Sequence, residues 1–146
     1  MNEMKSRRRM RGVTLMELVT VVTIVGILST IAIPSYTNYI RRVNRTDAKR
    51  DLIQFALQLE KCFTRGNDYT VKAKGSADAC VTLPYTNPEK TYTVTGNVQA
   101  RAFTLTATPI NAQAKDTRCK AFTLTQTGVQ GVTGTTDAKR CWEGRE

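Results

Sequence analysis

The chain has 146 residues, with 22 Lys and Arg against 12 Asp and Glu, a formal charge of +10, and no histidine. The missing histidine excludes Ser-His-Asp and Cys-His catalysis and the Cys/His zinc arrangements. The length bounds one modest domain, and the four cysteines, Cys62, Cys80, Cys119 and Cys141, contain no CxxC ligand pair.

Residues 1–12 form a basic leader, with Lys5, Arg7, Arg8, Arg9 and Arg11 against Glu3. The positive-inside bias keeps such a segment cytoplasmic. Residues 12–34 follow as GVTLMELVTVVTIVGILSTIAIP. Between 13 and 33 there is no Lys, Arg or Asp and one acid, Glu17. About 20 apolar residues in helical form cross a bilayer core, and a single segment satisfies its backbone there only as a helix. The pattern predicts a transmembrane or assembly helix over 13–34. A charge at mid-bilayer costs roughly 2.5–3.5 kcal/mol, so an acid in such a segment marks a partner or a function. A cut after Gly12 would leave an ammonium on Val13, four residues before Glu17 and on the same helix face. Gly26 and Pro34 are the weak points of this helix. The glycine costs about 1 kcal/mol relative to Ala, and the proline removes a donor and crowds the carbonyl of Thr30.

Residues 35–65 read as an amphipathic continuation of the helix. Tyr36 and Tyr39 suit a membrane interface, and Arg41, Arg42 and Arg45 read as a solvated face. Ala48, Leu52, Ala56, Leu59 and Phe63 follow the helical period, with Phe55 and Cys62 alongside. Lys49, Arg50, Gln54, Gln58 and Lys61 occupy the opposite face, so one apolar stripe has to be buried. Gly66-Asn67-Asp68 ends the helix. Residues 66–90 are dense in turn formers, and Pro84 and Pro88 argue against a central strand. This segment reads as a surface αβ-loop, with Cys80 able to reach back to Cys62.

Residues 91–146 begin with three runs of period two, at 91–95, 102–107 and 121–125. Tyr92, Val94, Phe103, Leu105, Phe122 and Leu124 alternate with threonines or small residues, the pattern of an antiparallel sheet with one apolar and one wet face. Gly96-Asn97 reads as the turn between the first two runs. The apolar face is expected to pack on the helix around Leu52 and Leu59, giving an α+β domain: a long N-terminal helix on a small antiparallel sheet. The glycine-rich stretch 128–134 cannot hold shape alone. Trp142 is expected to pack on a neighbouring disulfide or on the sheet.

A short basic leader ending in Gly12, an apolar run with Glu17 at its fifth position and Pro34 after it together resemble the type IV pilins. The family usually has Phe where Val13 stands and Ile where Met16 stands, and neither change alters charge or apolarity. The resemblance implies a class III signal cut between Gly12 and Val13 by prepilin peptidase, N-methylation of Val13, and a role for Glu17 in assembly against a neighbour's amino terminus. It implies that the segment from Gly26 to Pro34 loses helical order in the filament. The Cys–Trp ending resembles PilE-type minor pilins. Four cysteines allow three connectivities. The sequential one, Cys62–Cys80 and Cys119–Cys141, is favoured, and its second bridge is worth about 3 kcal/mol in chain-entropy terms.

The expected function is that of a structural subunit, a minor pilin held in the inner membrane by a single pass with a periplasmic C-terminal domain, then built into an extracellular filament. The resemblance implies filament roles in twitching motility, adhesion or DNA uptake. Expected partners are other pilin subunits, in homo- or hetero-assembly, prepilin peptidase and inner-membrane lipid. Removing residues 1–12 leaves 17 bases against 11 acids, or +6, and that charge makes DNA a further candidate. No catalytic residue, cofactor or metal is expected. Two alternatives share features of the chain. A type II secretion pseudopilin has the same leader, cleavage site and glutamate, and a small disulfide-bonded secreted or anchored binding protein would use 30–32 as a signal cleavage site.

Overall fold

A computed structural model of the chain describes residues 12–70 and 80–145. The leader residues 1–11, residues 71–79 of the αβ-loop and Glu146 lie outside the described residues. In order the elements are α1 (Leu15–Gly66), β1 (Tyr85–Thr86), β2 (Tyr92–Gln99), β3 (Ala102–Pro109), a 3-10 turn (Asn111–Lys115), β4 (Phe122–Thr125), β5 (Gln130–Val132) and α2 (Ala138–Glu143). The contacts divide into two units, the first ending at Asn38 and the second starting at Tyr39.

In the first unit, α1 is exposed along nearly its whole length. It stays helical through Gly26 and Pro34. Thr20, Thr23 and Ser29 donate their hydroxyls to the carbonyls of Met16, Val19 and Val25, at 2.7–2.8 Å. These bonds within the helix keep hydroxyls satisfied in a segment that offers them no other partner.

In the second unit the sheet is an antiparallel meander of order β1-β2-β3-β4-β5. Its apolar face supplies Tyr92, Val94, Phe103, Leu105, Ala107, Phe122 and Leu124, and α1 supplies Ala48, Leu52 and Leu59 to the same core. Each large side chain buried there contributes about 1.5–3 kcal/mol. The threonines alternate on the other face, and Thr95–Thr106 and Thr104–Thr125 stand opposite each other across strands. The α+β architecture expected from the periodicities is the one observed. Asn67, at φ 55°, closes α1 in the left-handed conformation, with its N–H bonded to Phe63 O at 2.6 Å.

Four expectations need correction. Gly96-Asn97 is not a turn. β2 runs on to Gln99, and Gly96 pairs with Leu105. A Cβ on Gly96 would stand 2.7 Å from Leu83 Cδ1 and 3.0 Å from Leu105 Cδ2, so the glycine serves close packing rather than reversal. The αβ-loop over 66–90 contains an edge strand, because Tyr85 and Thr86 pair with Val94 and Thr93. Arg45 is not on a solvated face. It is buried, and its Nε and Nη2 donate to Asp116 Oδ2 and Oδ1 at 2.6 and 2.7 Å. Finally, the outer face of α1 is not wholly polar, since Ile53 and Leu57 are exposed there.

The Arg45–Asp116 pair is the centre of a buried polar network. Gln113 Nε2 donates to Asp116 Oδ2, Tyr92 Oη and Arg41 O, and Gln113 Oε1 accepts from Asn44 Nδ2, at 3.1–3.3 Å. Burial is the main cause that pushes the Tyr92 hydroxyl up to about 12. Asp51, also on α1, is buried with Oδ2 unbonded. Burial raises its pKa from 3.8. Arg50 works against the shift, and Asp47 and Glu89 add to it.

Two outcomes follow from these buried charges. Asp116→Ala strands the Arg45 guanidinium and should cost about 3–5 kcal/mol in denaturant unfolding of the full chain in detergent. Because the folded state holds the Asp51 proton more tightly than the unfolded state does, its stabilising effect is complete below the unfolded pKa. It is lost as pH rises through the folded pKa. Asp51→Asn should therefore flatten the fall in stability on the alkaline side of pH 4, read as melting temperature against pH.

Candidate functional site

Two regions carry the candidate functional residues. The first is the start of α1. Gly12 and Val13 precede the helix and are exposed. Thr14 stands just before it, and its Oγ1 accepts the N–H of Glu17 at 3.2 Å, an N-cap bond. Glu17 lies in the first turn, where a carboxylate also meets the positive end of the helix dipole. Around it Leu15, Met16, Leu18, Val21 and Val22 are all more than half exposed. This stretch contains the one helix long and apolar enough to cross a membrane among the described residues.

The second region surrounds the C-terminal disulfide. Cys119 and Cys141 are bonded across a Cα–Cα distance of 5.8 Å, and Cys62 and Cys80 across 6.0 Å. The first of these bridges brings two basic pairs together. Arg118 and Lys120 flank Cys119, and Lys139 and Arg140 precede Cys141. All four are exposed. Thr136 N–H donates to Arg118 O at 2.8 Å, which fixes the two segments side by side. Asp137 caps α2 by accepting from Lys139 N–H at 2.7 Å, and Gly144 ends α2 at φ 73°. Arg145 follows, 3.4 Å from Glu143. Lys139, Arg140 and Arg145 line a shallow depression of about 460 Å³ with Asp137 and Glu143.

Lys49 and Trp142 hold this end of the chain in place. Lys49 Nζ donates to the carbonyls of Cys141 and Trp142 at 3.3 and 3.2 Å. Burial, then the neighbouring Arg45 charge, lowers its pKa. Trp142 packs edge-to-face on Phe122 with ring centroids 5.6 Å apart, and its Nε1–H donates to Gly131 O at 3.1 Å. Sequence reasoning did not find the basic cluster. Its members lie 19 to 22 positions apart in pairs, and they become neighbours only in the fold, through the disulfide and the backbone bonds beside it. Arg45, in contrast, was findable, because it falls in the helical rhythm of Ala48, Leu52 and Leu59. Among the described residues no group of three or more His, Cys, Asp or Glu is placed to hold a metal ion.

Residues 34–123 match the family described as type IV minor pilin ComP, DNA uptake sequence receptor. Comparison with curated protein sequences returns no match. Among solved structures, the non-core minor pilin PilV of Neisseria meningitidis is 22% identical, over 66% of this chain and 90% of that one, with a TM-score of 0.49. A type IV pilin from Shewanella oneidensis is 23% identical, over 67% and 96%, with a TM-score of 0.43. The family match begins at Pro34, where the leader-and-anchor pattern ends, so it is independent of Gly12 and Glu17. With more than half of its length matched, the chain belongs to the ComP family of type IV minor pilins.

Proposed function

We propose that this chain is a minor subunit of a type IV pilus that presents a basic surface to duplex DNA. The carrying observation is that family membership over 34–123 joins an exposed apolar helix with one acid in its first turn. In this reading prepilin peptidase cuts between Gly12 and Val13, and Val13 is N-methylated. The helix then waits in inner-membrane lipid with the C-terminal domain periplasmic. Entry into the filament moves the apolar surface from lipid onto other pilin helices. Glu17 is tolerated there because an amino terminus meets it, since a carboxylate in a low-dielectric bundle is stable only when paired. Gly26 and Pro34 are the points at which the helix yields during packing. The protein is the substrate of an enzyme and does no chemistry itself. Family membership favours the pilus over the secretion machine.

The DNA surface assigned here is the cluster of Arg118, Lys120, Lys139 and Arg140. Exposed cations on a rigid, disulfide-closed frame suit phosphate contacts, which give affinity and orientation without reading sequence.

Sequencing the mature amino terminus should find methylated Val13; a start near Ile33 would mean secretion, and an intact Met1 a plain anchor. Glu17→Val should leave membrane insertion intact and deplete the protein from sheared filaments, and normal incorporation would remove the role given to Glu17. Duplex binding by the full chain in detergent should weaken linearly in the logarithm of salt. Arg118→Ala and Arg140→Ala should each lower that slope by about 1; a salt-independent signal would rule the cluster out.

A further inference from the structure

Three segments of the second unit are drawn together where the chain enters it. Gln113, in the 3-10 turn, donates to Arg41 O at 3.3 Å and accepts from Asn44 at 3.1 Å. Asn111, at the start of the same turn, donates to Lys90 O at 2.8 Å, and Ile110 N–H donates to Thr91 O at 2.8 Å. Residues 39–45, 87–91 and 110–116 therefore form one end of the domain. They hold five bases, Arg41, Arg42, Arg45, Lys90 and Lys115, and two acids, Glu89 and Asp116. Arg45 and Asp116 are buried against each other. That leaves four bases against Glu89. Asp47, the next acid along α1, is engaged with Arg50. Lys90, Lys115 and Arg42 are exposed and Arg41 is half-buried, while Ala112 and Ala114 add no bulk beside Lys115.

Two observations say that these bases have a use. Bases directly beyond a membrane segment work against the positive-inside bias, yet this chain keeps them. Lys90 is also held at φ 51°, a left-handed conformation that suits glycine and asparagine and disfavours lysine. An outlier kept in place points to a role for its side chain. The position in the chain says what meets them. Arg41 stands eight residues after Ile33, the last apolar residue of the segment able to cross a membrane. As helix, that link is about 12 Å long, whatever the mutual orientation of the two units. Headgroups extend about 6 Å beyond the hydrocarbon, and a Debye length adds about 8 Å. The basic end is thus within electrostatic reach of a lipid surface.

We propose that the end of the second unit carrying Arg41, Arg42, Lys90 and Lys115 is a seat for anionic phospholipid headgroups, so that the domain sits on the membrane surface until it is drawn into a filament. The proposal depends on the membrane-held stage of the function above. It gives leaving the membrane a charge cost in addition to the transfer of the apolar helix, one that weakens with salt.

The test places the full chain in vesicles of phosphatidylcholine alone and in vesicles of equal phosphatidylcholine and phosphatidylglycerol. Lysine acylation by a membrane-impermeant reagent is then read residue by residue by mass spectrometry. Lys90 and Lys115 should react about fivefold more slowly in the mixed vesicles, the change expected for one surface cation meeting anionic lipid. Lys61, exposed and about 30 Å along α1 from Arg41, should keep its rate. High salt should return Lys90 and Lys115 to their rates in phosphatidylcholine. Native mass spectrometry should find phosphatidylglycerol retained by wild type and lost from the Lys90→Asn, Lys115→Gln double variant. Both side chains are exposed and asparagine accepts the backbone at 90, so the melting temperature of that variant should not fall. Equal rates in the two vesicles, or equal slowing at Lys61, overturns the proposal and leaves the membrane helix and the filament role standing. Protection of the two lysines by duplex DNA but not by phosphatidylglycerol also overturns it, by giving the surface to nucleic acid. A chain that inserts into neither vesicle takes down the membrane-helix reading and this proposal with it.

Discussion

Apolar surface left in water costs roughly 25 cal/mol for each Å², and α1 carries more of it than the domain can cover. The sheet offers one face. It takes Ala48, Leu52 and Leu59 out of solvent entirely. Among the described residues Ile53 and Leu57 stay exposed in the second unit, and in the first unit every large apolar residue from Val13 to Ile33 is exposed. A sequence that keeps such surface is built for an environment other than water. In the function proposed above, lipid meets that requirement before assembly and neighbouring helices meet it afterwards. The remaining features of the chain can be read as ways of making this helix usable: a cap at Thr14, hydroxyls bonded back into the helix, and a single acid near the start.

The buried Arg45–Asp116 pair fixes how the helix is held. Hydrophobic packing is non-directional, and a stripe of Ala and Leu tolerates small sliding and rotation against a sheet. A bidentate guanidinium–carboxylate pair does not, because both donor–acceptor distances must be met together. Gln113 extends the constraint from Asp116 to the Tyr92 hydroxyl and to the Arg41 carbonyl, so strand β2, the 3-10 turn and α1 are set in one register. A buried ion pair is weak evidence for stability, since its desolvation offsets much of its attraction. Its use here is to define which helix face points inward.

Much of the fold was legible because period carries it. Three alternating runs gave β2, β3 and β4, and the i, i+4, i+7 rhythm gave the buried stripe of α1. The pattern failed where one residue type serves two purposes. Gly96 looks like turn chemistry, yet it is a gap that admits Leu83 and Leu105. Arg45 looks like surface charge, yet it lies on the core stripe and depends on an acid 71 residues away. β1 is two residues long, too short to show any period. The exposed Ile53 and Leu57 do not stand out in the pattern, because Arg50, Gln54 and Gln58 lie among them. The residues proposed for cleavage and assembly, Gly12, Val13 and Glu17, stand close together in sequence, so a local pattern is enough to nominate them. The basic cluster was not legible, because its two segments meet only in the fold, through the Cys119–Cys141 bridge and the backbone bonds beside it.

Lys49 links these parts. It lies on α1 beside the buried stripe, and its ammonium is spent on the carbonyls of Cys141 and Trp142. Burial, then the Arg45 charge, lowers the pKa of that ammonium. The same contact places Trp142 at the edge of an apolar groove beside Ile53. Lys49 therefore ties the disulfide-closed end to the helix through two carbonyls, while Trp142 ties it to the sheet through Phe122 and the Gly131 carbonyl.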